Sequence, residues 1–217
     1  MTNRIAAIDG GMSYHLNALN DPEWSHHISK RIYLPELGEA DLGETDILIV
    51  TCRSRADLLE QRRDQLASFL ARGGWIIACG ETHPERWLDD IRYVPKDLNY
   101  WWWLDPEGDL GLRLNAPDHP LAQAIPFDDM LWHHHGLFMP PDGAVSIVEH
   151  KNGGSVLYDY HLPGGGQTTV MSLDPFFHHG SFFMPAASRF LRGFIPWLAN
   201  TRLSLKEPSE SLNEHFQ

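Results

Sequence analysis

The chain has 217 residues, of which 42% are hydrophobic and 11% aromatic, so it can bury a core and is not intrinsically disordered. Its 17 basic and 29 acidic residues give a net charge of −12, which argues against nucleic acid or an anionic membrane as a partner. The sequence has no apolar run long enough to span a membrane, no signal-peptide pattern and two cysteines, so a cytoplasmic location is expected.

The start of the chain has the pattern of a buried strand followed by a tight loop. Residues 5–9 are almost entirely apolar, and Gly10-Gly11 follows them directly. A helix is expected near residues 14–19 and a second strand at residues 31–34.

The clearest unit begins at residue 46. Residues 47–50 form a continuous apolar run, which is typical of a strand buried on both faces. Residues 57–71 carry apolar side chains at helical spacing, and Gly73-Gly74 follows them as a helix stop. Residues 75–78 are again apolar. The sequence therefore predicts a βαβ unit with a right-handed crossover and parallel, neighbouring strands.

Beyond Cys79 the sequence predicts a helix start, because Thr82 and Glu85 have the spacing of a capping box. Residues 93–111 are rich in Trp, Asp and Pro and are expected to form an irregular insertion. Further strands are predicted at residues 144–148, 155–160 and 168–173, with a closing amphipathic helix at residues 186–199. We assign residues 1–204 to one domain and 205–217 to a mobile polar tail.

Three segments, in this order, resemble the class I glutamine amidotransferase-like superfamily. Residues 41–81, from DLGETD to IIACGE, are similar to the central half of its domains. The segments HPLAQAIP with DDMLWHHHGLF (119–138) and GGQTTVMSLDPFFHHG to PWLAN (165–200) are similar to its trehalose-utilisation (ThuA-like) branch. The resemblance implies an α/β fold, a flavodoxin-like three-layer sandwich with a mostly parallel central sheet.

In the true glutaminases of that superfamily, a cysteine in Gly-x-Cys-x-Gly sits on a sharp turn after a central strand, and a later histidine, often followed by Pro-Glu, assists it. Cys79 falls at or beside the first position, and His178 or His179 falls near the second. This chain instead reads IACGE at 77–81 and HHG at 178–180. If Gly80 occupies the turn, no nucleophile is present there. We therefore predict no glutaminase activity.

Cys79 nevertheless remains a candidate nucleophile. A thiol at a helix N-terminus forms its thiolate more readily, and a nearby histidine can act as its base. The alternative is a packed cysteine at the end of a strand. The candidate catalytic residues are Cys79, His178, His179 and Asp174.

The 13 histidines include the adjacent group His133 to His135. If this group is extended, His133 and His135 share one face, and His134 faces the other way. His133, His135 and His178 are candidate ligands of a divalent metal, zinc or iron, which Asp174 or His179 could complete. The alternative is a set of hydrogen-bonded or surface histidines near a cleft.

Several residues next to strand ends are candidates for contacting a substrate. Gly10 and Gly11 would let a ligand approach the backbone closely, and Arg53 could clamp a carboxylate or phosphate, or be a solvated residue before a helix. The aromatic residues at 100–103 could cover the cleft, or an interface in a homo-oligomer. The candidates for substrate binding are Gly10, Gly11, His15, Arg53, Glu81 and Trp102.

Two functions stay open at this stage. The leading hypothesis is a small-molecule enzyme, acting on a carbohydrate-like or otherwise polar metabolite, with histidine as acid–base group or metal ligand. The rival is a non-catalytic domain that retains the fold for ligand binding or assembly. Both place the site at the carboxyl ends of the strands, where open α/β sheets bind ligands.

Overall fold

The computed structural model describes residues 3–96, 101 and 104–201. The predicted tail at 205–217, and Trp102 with most of the aromatic run, lie outside these residues. The strands are β1 Ile5–Asp9, β2 Ile28–Tyr33, β3 Ile47–Val50, β4 Trp75–Cys79, β5 Arg92–Pro95, β6 Leu112–Leu114, β7 Gly136–Met139, β8 Val145–His150, β9 Ser155–His161 and β10 Gln167–Met171. The helices are α1 Ser13–Leu19, α2 Glu39–Gly43, α3 Ala56–Glu60, α4 Arg63–Ala71, α5 Pro120–Ala124, α6 Pro175–Gly180 and α7 Pro185–Asn200.

Five neighbouring strands form a parallel half of the sheet. Their order is β2-β1-β3-β4-β10, and every neighbouring pair in this run is parallel. The predicted pairing of β3 with β4 is confirmed, with Ile47 opposite Trp75 and Val50 opposite Ala78. β9 then pairs antiparallel with β10, and β5 to β8 extend the sheet by further antiparallel pairs.

Both faces of the sheet are covered by apolar side chains. Alternate residues of a strand point to opposite faces, and β1 shows this directly. Ile5 and Ala7 belong to one buried cluster, which includes residues of α1, α5, α6 and α7. Ala6 and Ile8 belong to a second cluster, which includes residues of α2, α3 and α4. The long amphipathic α7 closes the first cluster with Phe190, Phe194 and Leu198 among others.

Three local predictions need correction. The helix predicted at 57–71 is two helices, α3 and α4, separated at Gln61 and Arg62. The capping-box pattern does not start an α-helix: Pro84–Arg86 forms only a 3₁₀ turn, because His83 before it adopts a left-handed backbone and no side chain caps the turn. Part of the predicted insertion is regular, since β5 pairs with β7. Among the described residues, no helix is both long enough and apolar enough to cross a membrane.

Candidate functional site

The site lies where three parallel strands end. Arg53 follows β3, Glu81 follows β4 and Asp174 follows β10. His178 lies on α6, the short helix that Asp174 precedes. The segment before β7 brings in the adjacent histidines, and the His135 backbone N–H donates to the Ser172 carbonyl at 3.4 Å. Chain segments remote in sequence therefore meet at one edge of the sheet.

Asp174 is the centre of the site, and its side chain is fully buried. Its Oδ2 atom lies 3.2 Å from His135 Nε2 and 3.2 Å from Arg53 Nη2. Its Oδ1 atom lies 2.7 Å from His178 Nε2. Burial alone would raise the pKa of Asp174, but the contacts with His135 and His178 outweigh it and hold that pKa well below its usual range. The carboxylate is therefore ionised at neutral pH.

The contacts on the inner side of this carboxylate are close without being well-formed hydrogen bonds. Within the described part of the chain, Asp174 Oδ1 has no hydrogen-bond partner, although His178 Nε2 is so near. His178 Nε2 also lies 3.0 Å from His133 Nε2. The ligand atoms of His133, His135 and Asp174 all lie within 4.8 Å of one another. Imidazole nitrogens and a carboxylate oxygen thus converge on one point.

Two carboxylates hold His135, one at each ring nitrogen. Asp174 contacts Nε2, and Glu81 Oε1 lies 3.2 Å from Nδ1. Burial lowers the pKa of His135, but the two carboxylates outweigh burial and raise that pKa to about 9. The contact with His135 also lowers the pKa of Glu81. Glu81 is 40% exposed, so it connects the buried cluster to solvent.

The other two adjacent histidines face different surroundings, as expected for an extended segment. Burial, and then the neighbouring His178, lower the pKa of His133 to about 4. His134 is fully buried and its ring lies near that of His150, 6.2 Å between centroids. Burial lowers the pKa of His134 to about 3. Both rings are therefore neutral at pH 7, and only His133 turns toward Asp174.

Arg53 forms the outer wall of the site. Its Nη2 atom lies 3.2 Å from Asp174 Oδ2 and 3.3 Å from Glu81 Oε2. The guanidinium lies 3.6 Å above the Phe177 ring centroid, an arrangement that favours a cation. Its backbone has φ 63, a region that non-glycine residues rarely adopt. This cation therefore sits in a constrained position between two carboxylates.

Cys79 does not reach this cluster. It is the last residue of β4, its side chain is fully buried in the core, and burial raises the pKa of its thiol. Gly80 instead occupies the sharp turn, with φ 57. A Cβ atom at Gly80 would lie 2.6 Å from the Cβ atoms of both Asp174 and Cys52. The turn that carries a nucleophile in glutaminases thus carries a residue without a side chain here.

The remaining candidates lie beside the cluster rather than in it. His15 is buried; its Nδ1 accepts from the Gly10 N–H at 2.9 Å, and its Nε2 donates to the Cys52 carbonyl at 2.8 Å. Gly11 packs against the Tyr33 ring. These contacts fix the loop after β1. His179 points away from His178, toward Ser188 and Asp21.

The sequence did not point to Phe177. The ring of Phe177 packs under the Arg53 guanidinium, and the Phe177 backbone N–H donates to Cys52 Sγ at 3.1 Å. Ser188 and Asp21 were also missed. Phe177 could have been suspected from its place beside His178. Ser188 and Asp21 carry no sequence signal, because their distance from His179 is set only by the packing of α1, α6 and α7.

Comparison with known proteins identifies the fold of the chain but no family. No family model and no curated protein matches the sequence. A glutamine amidotransferase from Thermotoga maritima superposes with a TM-score of 0.57, covering 92% of this chain and 99% of its own, at 10% identity. A GMP synthase subunit-like protein from Thermoplasma acidophilum has a TM-score of 0.55, with 92% and 95% covered, at 10% identity. The chain therefore has the glutamine amidotransferase-like fold that its sequence resembles.

A ThuA-like protein from Bacteroides uniformis also superposes, with a TM-score of 0.49 over 90% of this chain and 91% of its own, at 10% identity. That likeness is too low to assign the branch. The similarity of residues 119–138 and 165–200 to the ThuA-like branch thus stays a sequence resemblance.

Proposed function

We propose that the chain is a cytoplasmic small-molecule enzyme with a divalent metal held by His133, His135, His178 and Asp174. Its fold would be the flavodoxin-like three-layer sandwich, in or near the ThuA-like branch. The observation that carries the proposal is the convergence of ligand atoms from His133, His135 and Asp174, all within 4.8 Å of one another around a fully buried carboxylate. His178 Nε2 lies 2.7 Å from the same carboxylate. A buried carboxylate is costly unless hydrogen bonds or a cation compensate its charge.

The donor set fits such an ion. Three imidazoles and one carboxylate suit zinc or iron, which accept nitrogen and oxygen ligands. His133 is neutral at pH 7, so its nitrogen can bind a cation without first losing a proton. His135, whose pKa is raised to about 9, would release a proton when the ion binds. A metal-free cluster would instead hold the Nε2 atoms of His133 and His178 3.0 Å apart through one shared proton.

The surroundings of the ligands also fit. Metal-binding histidines commonly donate their second ring N–H to a carboxylate, which fixes the ring orientation. Glu81 stands in that position at His135 Nδ1. Arg53 contacts the Asp174 carboxylate through Oδ2. Both outer groups would orient the ligands that bind the ion.

A site with these groups would act on a polar small molecule. A bound divalent ion supplies a Lewis acid and lowers the pKa of a bound water. Arg53 binds an anionic or strongly polar group of the substrate. Glu81, which is partly exposed beside His135, is placed to accept a proton from the substrate or from water. A carbohydrate-like or otherwise polar metabolite is the substrate class that we infer.

The proposal is tested by metal content. We expect purified protein to contain about one equivalent of zinc or iron by elemental mass spectrometry, and chelated protein to bind Zn²⁺ in calorimetry. Asp174→Asn and His133→Ala should each abolish tight binding. His161→Ala is the matched control, because His161 is an exposed histidine on β9. Equal binding by all three variants, or no metal in any, would contradict the metal site.

The rival hypothesis of a non-catalytic ligand-binding or assembly domain, including a homo-oligomer, stays a prediction. A bound metal in the native protein favours the enzyme, whereas an apolar aromatic patch buried against a second copy of the chain would favour the rival.

A further inference from the structure

A second constellation is centred on His179, which follows His178 on α6 and faces different partners. His179 Nδ1 lies 2.8 Å from Ser188 Oγ, and His179 Nε2 lies 3.1 Å from Asp21 Oδ2. His179 is buried, and the buried Trp24 packs edge-on against its ring, 4.7 Å between centroids. Three separate segments thus bring together a hydroxyl, an imidazole and a carboxylate, although within the described residues the contact of His179 Nε2 with Asp21 is close without being a well-formed hydrogen bond.

These contacts require one particular tautomer of the His179 ring. If the Ser188 hydroxyl donates to Nδ1, the imidazole proton resides on Nε2, which faces the Asp21 carboxylate. This is the order of groups in a nucleophile–base–acid triad, in which the carboxylate orients the imidazole. The two ring nitrogens have exchanged places relative to the serine proteases, but the roles of the groups are the same.

Two of the three residues, His179 and Ser188, border an accessible pocket. His179 and Ser188 line a cavity of about 420 Å³ together with Phe182, Met184 and Arg192. Phe182 is 77% exposed and adopts a strained φ of 61, so an apolar ring is held at the mouth of the pocket. A small apolar acyl group matches this lining.

The pocket also offers positive potential. Ser188 lies one turn into α7, a 16-residue helix whose N-terminus has no side-chain cap. The positive end of the helix dipole and the guanidinium of Arg192, which also pairs with Glu23, therefore lie beside the hydroxyl. Such a setting stabilises an oxygen that becomes negative during acyl transfer.

We propose that Ser188, His179 and Asp21 form a hydrolytic site for small carboxylic esters, separate from the metal centre. Ser188 Oγ attacks the carbonyl carbon while its proton passes to His179 Nδ1. The bond to the alkoxy group breaks, and the leaving alcohol takes that proton. Water then attacks the acyl-serine in the same way, which releases the acid and restores the Ser188 hydroxyl. No other reactant is needed.

The experiment is hydrolysis of p-nitrophenyl acetate by the full chain. Ser188→Ala and His179→Gln should each lower the rate roughly 100-fold or more, the usual contribution of a nucleophile or general base, and Asp21→Asn should lower it less. Ser181→Ala is the matched control, because Ser181 is a neighbouring serine at the end of α6. Thermal unfolding of each variant separates loss of chemistry from loss of fold.

Two further readouts decide the assignment. A fluorophosphonate should label the chain, and peptide mapping should place the label on Ser188. Treatment with a chelator should leave the hydrolysis rate unchanged, since this site uses no metal. Labelling elsewhere, or a rate that Ser188→Ala does not change, would overturn the proposal without bearing on metal binding. A rate abolished by chelation would also overturn it, and would assign the hydrolysis to the metal centre instead.

Discussion

Glu81 shows how a single partly exposed residue can control a buried one. Its carboxylate holds His135 Nδ1, and so sets which nitrogen of His135 faces Asp174. Loss of the charge would leave that ring less firmly oriented, because burial alone favours neither nitrogen. The side chain thus acts on the cluster through His135 rather than by joining it.

We therefore expect Glu81→Gln to weaken Zn²⁺ binding by about 10–100-fold, the usual effect of removing an outer-shell partner of a metal-binding histidine. Calorimetric titration of the chelated protein measures the dissociation constant. Glu149→Gln is the control, since Glu149 pairs with Arg113 on β6. Unchanged affinity in Glu81→Gln would show that His135 needs no outer carboxylate.

At the scale of single residues, the sequence was most informative about the histidines. Alternation along an extended segment placed His133 and His135 together, and the structure shows that they share a side near Asp174. The orientation of His178 and His179 could not be read in the same way. They are consecutive on a short helix and face different partners, a result of how α6 docks against α1 and α7.

At the scale of elements, the loops after β1 and β3 are tied together by His15 on α1. The imidazole accepts from Gly10 N–H and donates to the Cys52 carbonyl, so it can be accommodated only in its neutral form. Burial lowers the pKa of His15 below its ordinary value of 6.5. A second ring proton would face the Gly10 N–H.

This lowered pKa makes stability depend on pH. The unfolded chain binds the His15 proton more tightly than the folded chain does, so the contribution is fully present above about 6.5 and is lost as pH falls below that value. In His15→Gln, the free energy of unfolding should therefore fall less between pH about 7.5 and about 5.5 than in the unchanged chain. Denaturant unfolding at both pH values gives this difference; equal losses would argue against a neutral, buried His15.

Sequence patterns predicted some strands and helices better than others. Continuous apolar runs predicted β3 and β4 and their parallel pairing, because both strands are buried on both faces. The break between α3 and α4 was not predicted, since apolar spacing continues through it. The helix predicted after β4 fails to start because His83, which would be its first helical residue after Thr82, has a left-handed backbone with φ 51.

At the scale of the whole molecule, the fold and the chemistry separate. The fold resembles that of a glutamine amidotransferase, yet the sharp turn after β4 contains Gly80, and the Cys79 thiol is buried in the core. Fold likeness alone therefore does not bring the activity with it. The resemblance in sequence predicted the architecture, and the residue pattern named the histidines and Asp174 as candidates. Only the packed structure shows that His133, His135 and Asp174 converge.

We expect no release of ammonia from glutamine above the non-enzymatic rate, because the Cys79 thiol is buried and its pKa is raised. An enzyme-coupled ammonia assay on the full chain checks this. Turnover that disappears in Cys79→Ser would refute it, whereas turnover that persists in that variant would point to a contaminant.

The tight packing around Gly80 restricts which residues this position can accept. Any side chain at this position would meet the Cβ atoms of Asp174 and Cys52 at 2.6 Å, so one volume of the molecule can hold either a side chain on the turn or the aspartate of the histidine cluster. A single codon change to cysteine would therefore damage the existing centre before it could create a new one. A thiol on this turn would therefore require accompanying changes at Asp174 and Cys52.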